Sequence, residues 1–156
     1  MKITLLWIGK TSEDWLQRGI AEYEKRLMHY VPLSVECLVV KNLPKQDIEK
    51  QKLMEGDAIL EKIDALDELY LLDAGGQAFT SEGLAAFLQK KMSASVKRLV
   101  LAVGGPYGFS KSVYQRANGQ LSFSALTFSH QMIRLLLCEQ VYRAFTIIKG
   151  EAYHHA

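Results

Sequence analysis

The run KRLVLAVGGPYGFSKS, residues 97–112, decides the fold. Its first part, residues 97–103, is rich in Val and Leu and reads as a strand buried on both faces. It passes directly into Gly104-Gly105-Pro106-Tyr107-Gly108, and Ser110 stands where it would cap a short helix. A buried strand that turns on glycines into a helix is the repeating unit of a parallel α/β sheet.

The same alternation extends in both directions. Residues 2–8 (KITLLWI) read as another buried strand. Residues 12–30 read as a helix with Ser12 as N-cap and Trp15, Leu16, Ile20, Tyr23 and Leu27 at helical spacing. Pro32 stops it, and residues 33–40 form a second strand. A long polar helix is expected from Leu43-Pro44 to Asp64. Residues 68–73 (ELYLLD) form a strand ended by Ala74-Gly75-Gly76, followed by a helix capped at Thr80 or Ser81 and running to Lys91. A short strand at residues 121–123 precedes a terminal helix over residues 126–145. The expected class is a single α/β domain, residues 1–156, with helices on both faces of a mostly parallel sheet.

Composition narrows the function. The chain is 49% hydrophobic and 23% charged, with a net charge of +2, ordinary for a globular protein. That mild basicity permits nucleic-acid contact without demanding it. The lysines of residues 41–62 are balanced by nearby acids and read as a solvated face. Cys37 and Cys138 sit in apolar runs and read as two buried thiols in a reducing compartment. No metal-ligand spacing joins them to histidines. The opening MKITLLWIGK lacks the features of a secretory signal, and no apolar run is long enough to span a membrane. A cytoplasmic protein is expected, without membrane or metal.

Ligands of open α/β sheets collect beyond the carboxyl ends of the strands. Three loops leave strand ends here: residues 73–76, 104–108 and 122–127. Together they imply one pocket. GGPYGFSKS is not a P-loop, because Phe109 stands where that motif requires its second glycine, and no GxGxxG opens a helix. The terminal helix is apolar nearly all round yet carries His130, Arg134, Glu139, Tyr142 and Arg143. His130 and Arg134 share one face, and Glu139 and Arg143 form an ion pair on another. Such a helix must be covered on several sides, partly by a second subunit. The Tyr153-His154-His155 cluster ends the chain.

The segments VGGPYG, LSFSALTFSHQMIRLLLCEQVYRAF and GEAYHH, with the opening strand and the LLDAGG loop, resemble the ribosomal RNA large subunit methyltransferase H family over the whole chain. Two positions depart from the family pattern: Ala152 replaces a common Pro, and His155 stands where many members have Arg. The resemblance implies a SPOUT fold whose C-terminal part is threaded into a trefoil knot. It also implies a homodimer, S-adenosylmethionine as methyl donor, and methylation of N3 of a pseudouridine in helix 69 of 23S rRNA within the assembled ribosome. Cofactor contacts are expected at Leu72, Gly104, Gly105, Leu121, Ser122, Phe123, Ser124, Ala125, Leu126 and Thr127. His154 is the expected base or orienting group, Tyr153 a stacking partner for a loop base, and Arg134 and Arg143 stabilisers of charge or phosphate. The alternative is a non-catalytic ribosome- or RNA-binding factor of the same fold.

Overall fold

The computed structural model describes residues 1–154; His155 and Ala156 lie outside the described residues. Five strands and five helices alternate: β1 (Lys2–Ile8), α1 (Asp14–Leu27), β2 (Leu33–Leu38), α2 (Ile48–Leu60), β3 (Glu68–Ala78), α3 (Ser81–Ser93), β4 (Arg98–Val103), α4 (Lys111–Arg116), β5 (Gly119–Ser122) and α5 (Met132–Lys149). The strands form one sheet in the order β2-β1-β4-β3-β5, with every pairing parallel.

The two-residue period of each strand divides the core. Ile3, Leu5 and Trp7 of β1 join Leu99, Leu101 and Val103 of β4 under helices α1, α3 and α5. Leu6, Ile8, Val100 and Ala102 face Ile59 of α2 and Val113 of α4. Both faces are therefore covered, as the near-continuous apolar strands require. Helix α5 packs between α1 and α3, so the chain itself covers more of that helix than its all-round apolar surface suggests.

Several boundaries differ from the sequence reading, each for a local reason. Helix α1 begins at Asp14 and not at Ser12, whose backbone N–H donates to Gln131 Oε1 at 3.0 Å. Strand β2 stops at Leu38. Helix α2 begins at Ile48, where the Asp47 carboxylate accepts the Lys50 N–H at 2.9 Å, and Pro44 lies outside it. Strand β3 does not end at Asp73. It runs on to Ala78 with a register shift against β5 between Leu72 and Gln77. Gly76 makes this passage possible, since a Cβ there would stand 2.7 Å from the Gln120 and Leu121 backbone.

Strand β5 lies slightly earlier than expected, at Gly119–Ser122. Helix α5 starts at Met132 and not near Leu126. Ser124 Oγ accepts the Leu126 N–H at 2.9 Å and holds the preceding segment in a non-helical turn, while Ser129 caps the turn that opens the helix, its Oγ accepting the Met132 N–H at 3.1 Å and its C=O the Ile133 N–H at 3.1 Å. His130 therefore stands in the turn that leads into the helix, with the Arg134 charge near it. Cys37 is exposed, because β2 is an edge strand that pairs only with β1. Cys138 is fully buried, and burial pushes its thiol up to about 12.

Candidate active site

The middle of β3, where its register against β5 shifts, and the carboxyl ends of β4 and β5 surround an open cleft of about 160 Å³. Leu72, Asp73 and Ala74 come from β3; Val103, Gly104, Gly105, Gly108 and Phe109 come from the end of β4 and the turn after it. Leu121, Ser122, Phe123, Ser124, Leu126 and Thr127 form the third wall, and Phe128, His130 and Ile133 close the cleft beside α5. Of the residues expected at a cofactor, Ala125 alone does not line it. Asp73 lies in the segment that the sequence set at the pocket but was given no role there, and neither was His130.

The β4 turn is built for close approach. Gly108 N–H donates to Gly105 C=O at 3.1 Å, with Pro106 at the position that favours its fixed φ and Gly108 at φ 77°. A Cβ on Gly104 would meet Gly108 C and O and the Phe109 ring at 3.3 Å each. Across the cleft, the Ser122 hydroxyl donates to Ser124 C=O at 3.1 Å and fixes the third loop.

Beneath the turn lies a buried carboxyl. Glu55 is 3% exposed, and a Cβ on Gly105 would approach its Oε2 to 2.5 Å. Oε1 accepts the Gln51 amide at 3.3 Å, while Oε2 has no hydrogen-bond partner. Burial holds this carboxyl above the ordinary carboxylate range, with the Gln51 hydrogen bond acting in the opposite sense. The folded chain thus keeps a proton that the unfolded chain releases. Its contribution to stability falls as pH rises past the unfolded value and levels off above the folded one. Glu55→Gln is expected to remove this dependence. Relative to the parent it gains on the order of 1 kcal/mol between acidic and neutral pH, about 2–4 °C in melting temperature for a chain of this size. Melting curves from pH 4 to pH 8 check this, and parallel pH dependences would contradict it.

His130 and Arg134 stand at the start of α5. Burial and the nearby Arg134 charge hold the His130 imidazole below its ordinary range, so it is neutral at neutral pH. Its Nε2 lies 3.2 Å from the Gln131 amide nitrogen. Arg134 is wholly buried and does not line the cleft. Its guanidinium donates to Ile8 C=O at 2.6 Å, to Gly9 C=O at 3.0 Å and to Thr11 Oγ1 at 3.0 Å, and it lies 5.6 Å from the Trp7 ring. These bonds tie α5 to the end of β1.

The tail folds back onto its own chain. Tyr153 stacks edge-on against Tyr142 at 4.8 Å and donates to Glu139 Oε1 at 3.2 Å; its hydroxyl is 3.3 Å from that of Tyr23. Burial, the Tyr23 hydroxyl and the Glu139 charge all raise its pKa, so the hydroxyl stays protonated. Arg143 grips Glu139 Oε1 at 2.9 and 2.6 Å and lies 4.8 Å from the Tyr153 ring. This is the ion pair expected from the spacing. His154 Nε2 meets Glu82 Oε1 of α3 at 2.7 Å. The structure thus gathers Tyr153 and Arg143, sets His154 beside α3, and places Arg134 apart. None of these four lines the cleft of its own chain.

Among the described residues, no group of three or more His, Cys, Asp or Glu could hold a metal ion, and no helix is long and apolar enough to cross a membrane.

A family model described as "Predicted SPOUT methyltransferase" matches residues 1–154. The chain is 48% identical over 156 residues to the Ribosomal RNA large subunit methyltransferase H of Flavobacterium johnsoniae, covering 99% of each chain. The proteins of that name from Parabacteroides distasonis and Geobacter metallireducens are 48% and 43% identical, over 99% and 100% of each chain. A family match along almost the whole length, on a parallel sheet that frames one cleft, shows the family: the chain belongs to the SPOUT methyltransferases.

Proposed function

We propose that this chain transfers a methyl group from S-adenosylmethionine to N3 of a pseudouridine in the helix 69 loop of 23S rRNA, acting on the assembled ribosome in the cytoplasm as a homodimer with a knotted C-terminal part. The observation that carries the reading is the cleft between the middle of β3 and the ends of β4 and β5, together with full-length similarity to proteins named as ribosomal RNA methyltransferases.

The residues present fit the cofactor. Leu72, Leu121, Phe123 and Leu126 supply apolar walls, and Gly104 leaves space against the backbone that a side chain would fill. When bound, S-adenosylmethionine supplies a methyl group already activated on sulfur. The protein then has to position the two reactants and favour loss of the N3 proton. His154 is the group that takes or orients that proton. Tyr153 stacks on an exposed loop base, and Arg143 stabilises charge developing on it. Arg134, held by the end of β1, acts through its charge beneath His130. Because Tyr153 and His154 rest on α5 and α3 of their own chain, they serve the cleft of the partner subunit.

A net charge of +2 allows few phosphate contacts, so recognition leans on the ribosomal cleft and less on bare RNA. Calorimetry with S-adenosylmethionine is expected to show binding; no binding would favour a non-catalytic RNA- or ribosome-binding factor. Assembled ribosomes are expected to be methylated at least about tenfold faster than a helix 69 oligonucleotide, whose binding weakens as salt rises. Equal rates on the two substrates would overturn recognition by the assembled particle.

A further inference from the structure

The cleft carries an uncompensated negative charge. Among the described residues that line it, Asp73 is the one carboxylate, His130 is neutral at neutral pH, and no Lys or Arg is present. The Asp73 carboxylate is also fixed in place. Oδ1 accepts the Gly75 N–H at 2.8 Å, and Oδ2 accepts the Tyr114 hydroxyl at 2.5 Å. Tyr114 packs edge-on against Phe109 at 5.8 Å, and burial and the Asp73 hydrogen bond push its pKa up to about 12, so it remains a donor. Two neutral donors hold the charge without cancelling it, and none of the ion pairs among the described residues includes Asp73. The neighbouring walls are apolar, which lowers screening and lengthens the reach of that charge.

We propose that Asp73 makes the cleft selective for a cationic ligand, so that it holds the sulfonium cofactor more tightly than the thioether product. The inference rests on the assignment of the cleft to S-adenosylmethionine. Both molecules carry the same adenosine, ammonium and carboxylate groups, and they differ by one methyl group and one positive charge. Transfer breaks the S–CH3 bond and leaves the bonding pair on sulfur, so the product is neutral overall. A fixed anion attracts the ligand before transfer and loses that attraction after it. Asp73 therefore determines specificity and speeds exchange of product for fresh cofactor, while the neutral His130 avoids opposing it.

Calorimetry with S-adenosylmethionine and with S-adenosylhomocysteine, on the parent and on Asp73→Asn, tests this. The parent is expected to prefer the sulfonium. Asp73→Asn is expected to lose about tenfold in affinity for the sulfonium and to bind the thioether within about twofold of the parent, as removal of one partly screened charge implies. A merely structural aspartate would weaken both ligands equally, and that result overturns the proposal. Ala74→Lys provides a second reading if Asp73→Asn is unfolded. Ala74 is exposed on the rim, and a cation there should reduce the same preference without touching the donors of Asp73. An unchanged preference in folded Ala74→Lys overturns the proposal equally. If the parent binds neither ligand, it is the cofactor assignment that fails, and this inference fails with it.

Discussion

A chain ending at Lys149 and a full-length chain carrying Gly104→Val are each expected to be inactive, and a mixture of the two is expected to regain activity. The truncated chain keeps an intact cleft and lacks Tyr153 and His154. The second chain keeps its tail and loses its cleft, since even one carbon on Gly104 meets Gly108 and Phe109 at 3.3 Å and valine adds two more. Cofactor affinity in that variant is expected to fall at least about a hundredfold while the sheet stays folded, because Gly104 lies just beyond the last paired residue of β4, Val103. If sites are built in trans, each heterodimer has one working site. Random pairing makes half the dimers heterodimers, so about a quarter of parental activity returns. Circular dichroism of each protein and mass measurement of the mixed dimer exclude the trivial failures. An inactive mixture with proven heterodimers would show that each chain uses its own tail.

Replacement of Arg134 by Ala is expected to cost about 3–5 kcal/mol of stability, several times the effect of Glu55→Gln. The side chain is wholly buried, and three carbonyl or hydroxyl oxygens at the end of β1 depend on it. Its removal leaves those acceptors without donors and opens a cavity beside Trp7. For a chain of this size the loss corresponds to a drop of roughly 10 °C or more in melting temperature. Arg134→Lys should fall between the two, because one ammonium cannot reproduce the forked geometry. Urea denaturation measures the effect. A cost below about 1 kcal/mol would mean that solvent reaches the guanidinium and that its role is not to join α5 to β1.

The tail and Arg134 show where sequence reasoning stopped. A cation in an apolar helix pointed to catalysis or to an ion pair, and Arg143 does pair with Glu139 four residues away, a distance that helical periodicity makes readable. Arg134 instead satisfies backbone oxygens from residues 8 and 9, contacts that no local spacing reveals. Helix α5 read as starting near Leu126 because residues 126–137 are mostly apolar, while the Ser124 hydroxyl turns the segment out of helix and Ser129 caps the helix only afterwards, leaving residues 122–128 as a wall of the cleft. Cys37 read as buried from its apolar neighbours, and only its place on an edge strand exposes it.

By itself the sequence determined the α/β class, the parallel sheet covered on both faces, and the glycine-rich turn that follows β4. These follow from periodicities of two and 3.6 residues and from the backbone freedom of glycine, all local properties. Only the tertiary structure decided the strand order β2-β1-β4-β3-β5, which brings the middle of β3 and the ends of β4 and β5 together around one cleft. It alone carried β3 through its glycines past β5, buried Glu55 beneath the Gly105 turn, and folded Tyr153 back onto Tyr142 and Glu139. These arrangements join residues far apart in the chain. They are selected by how whole faces pack and by which buried polar groups find partners, quantities that exist only once the elements are assembled.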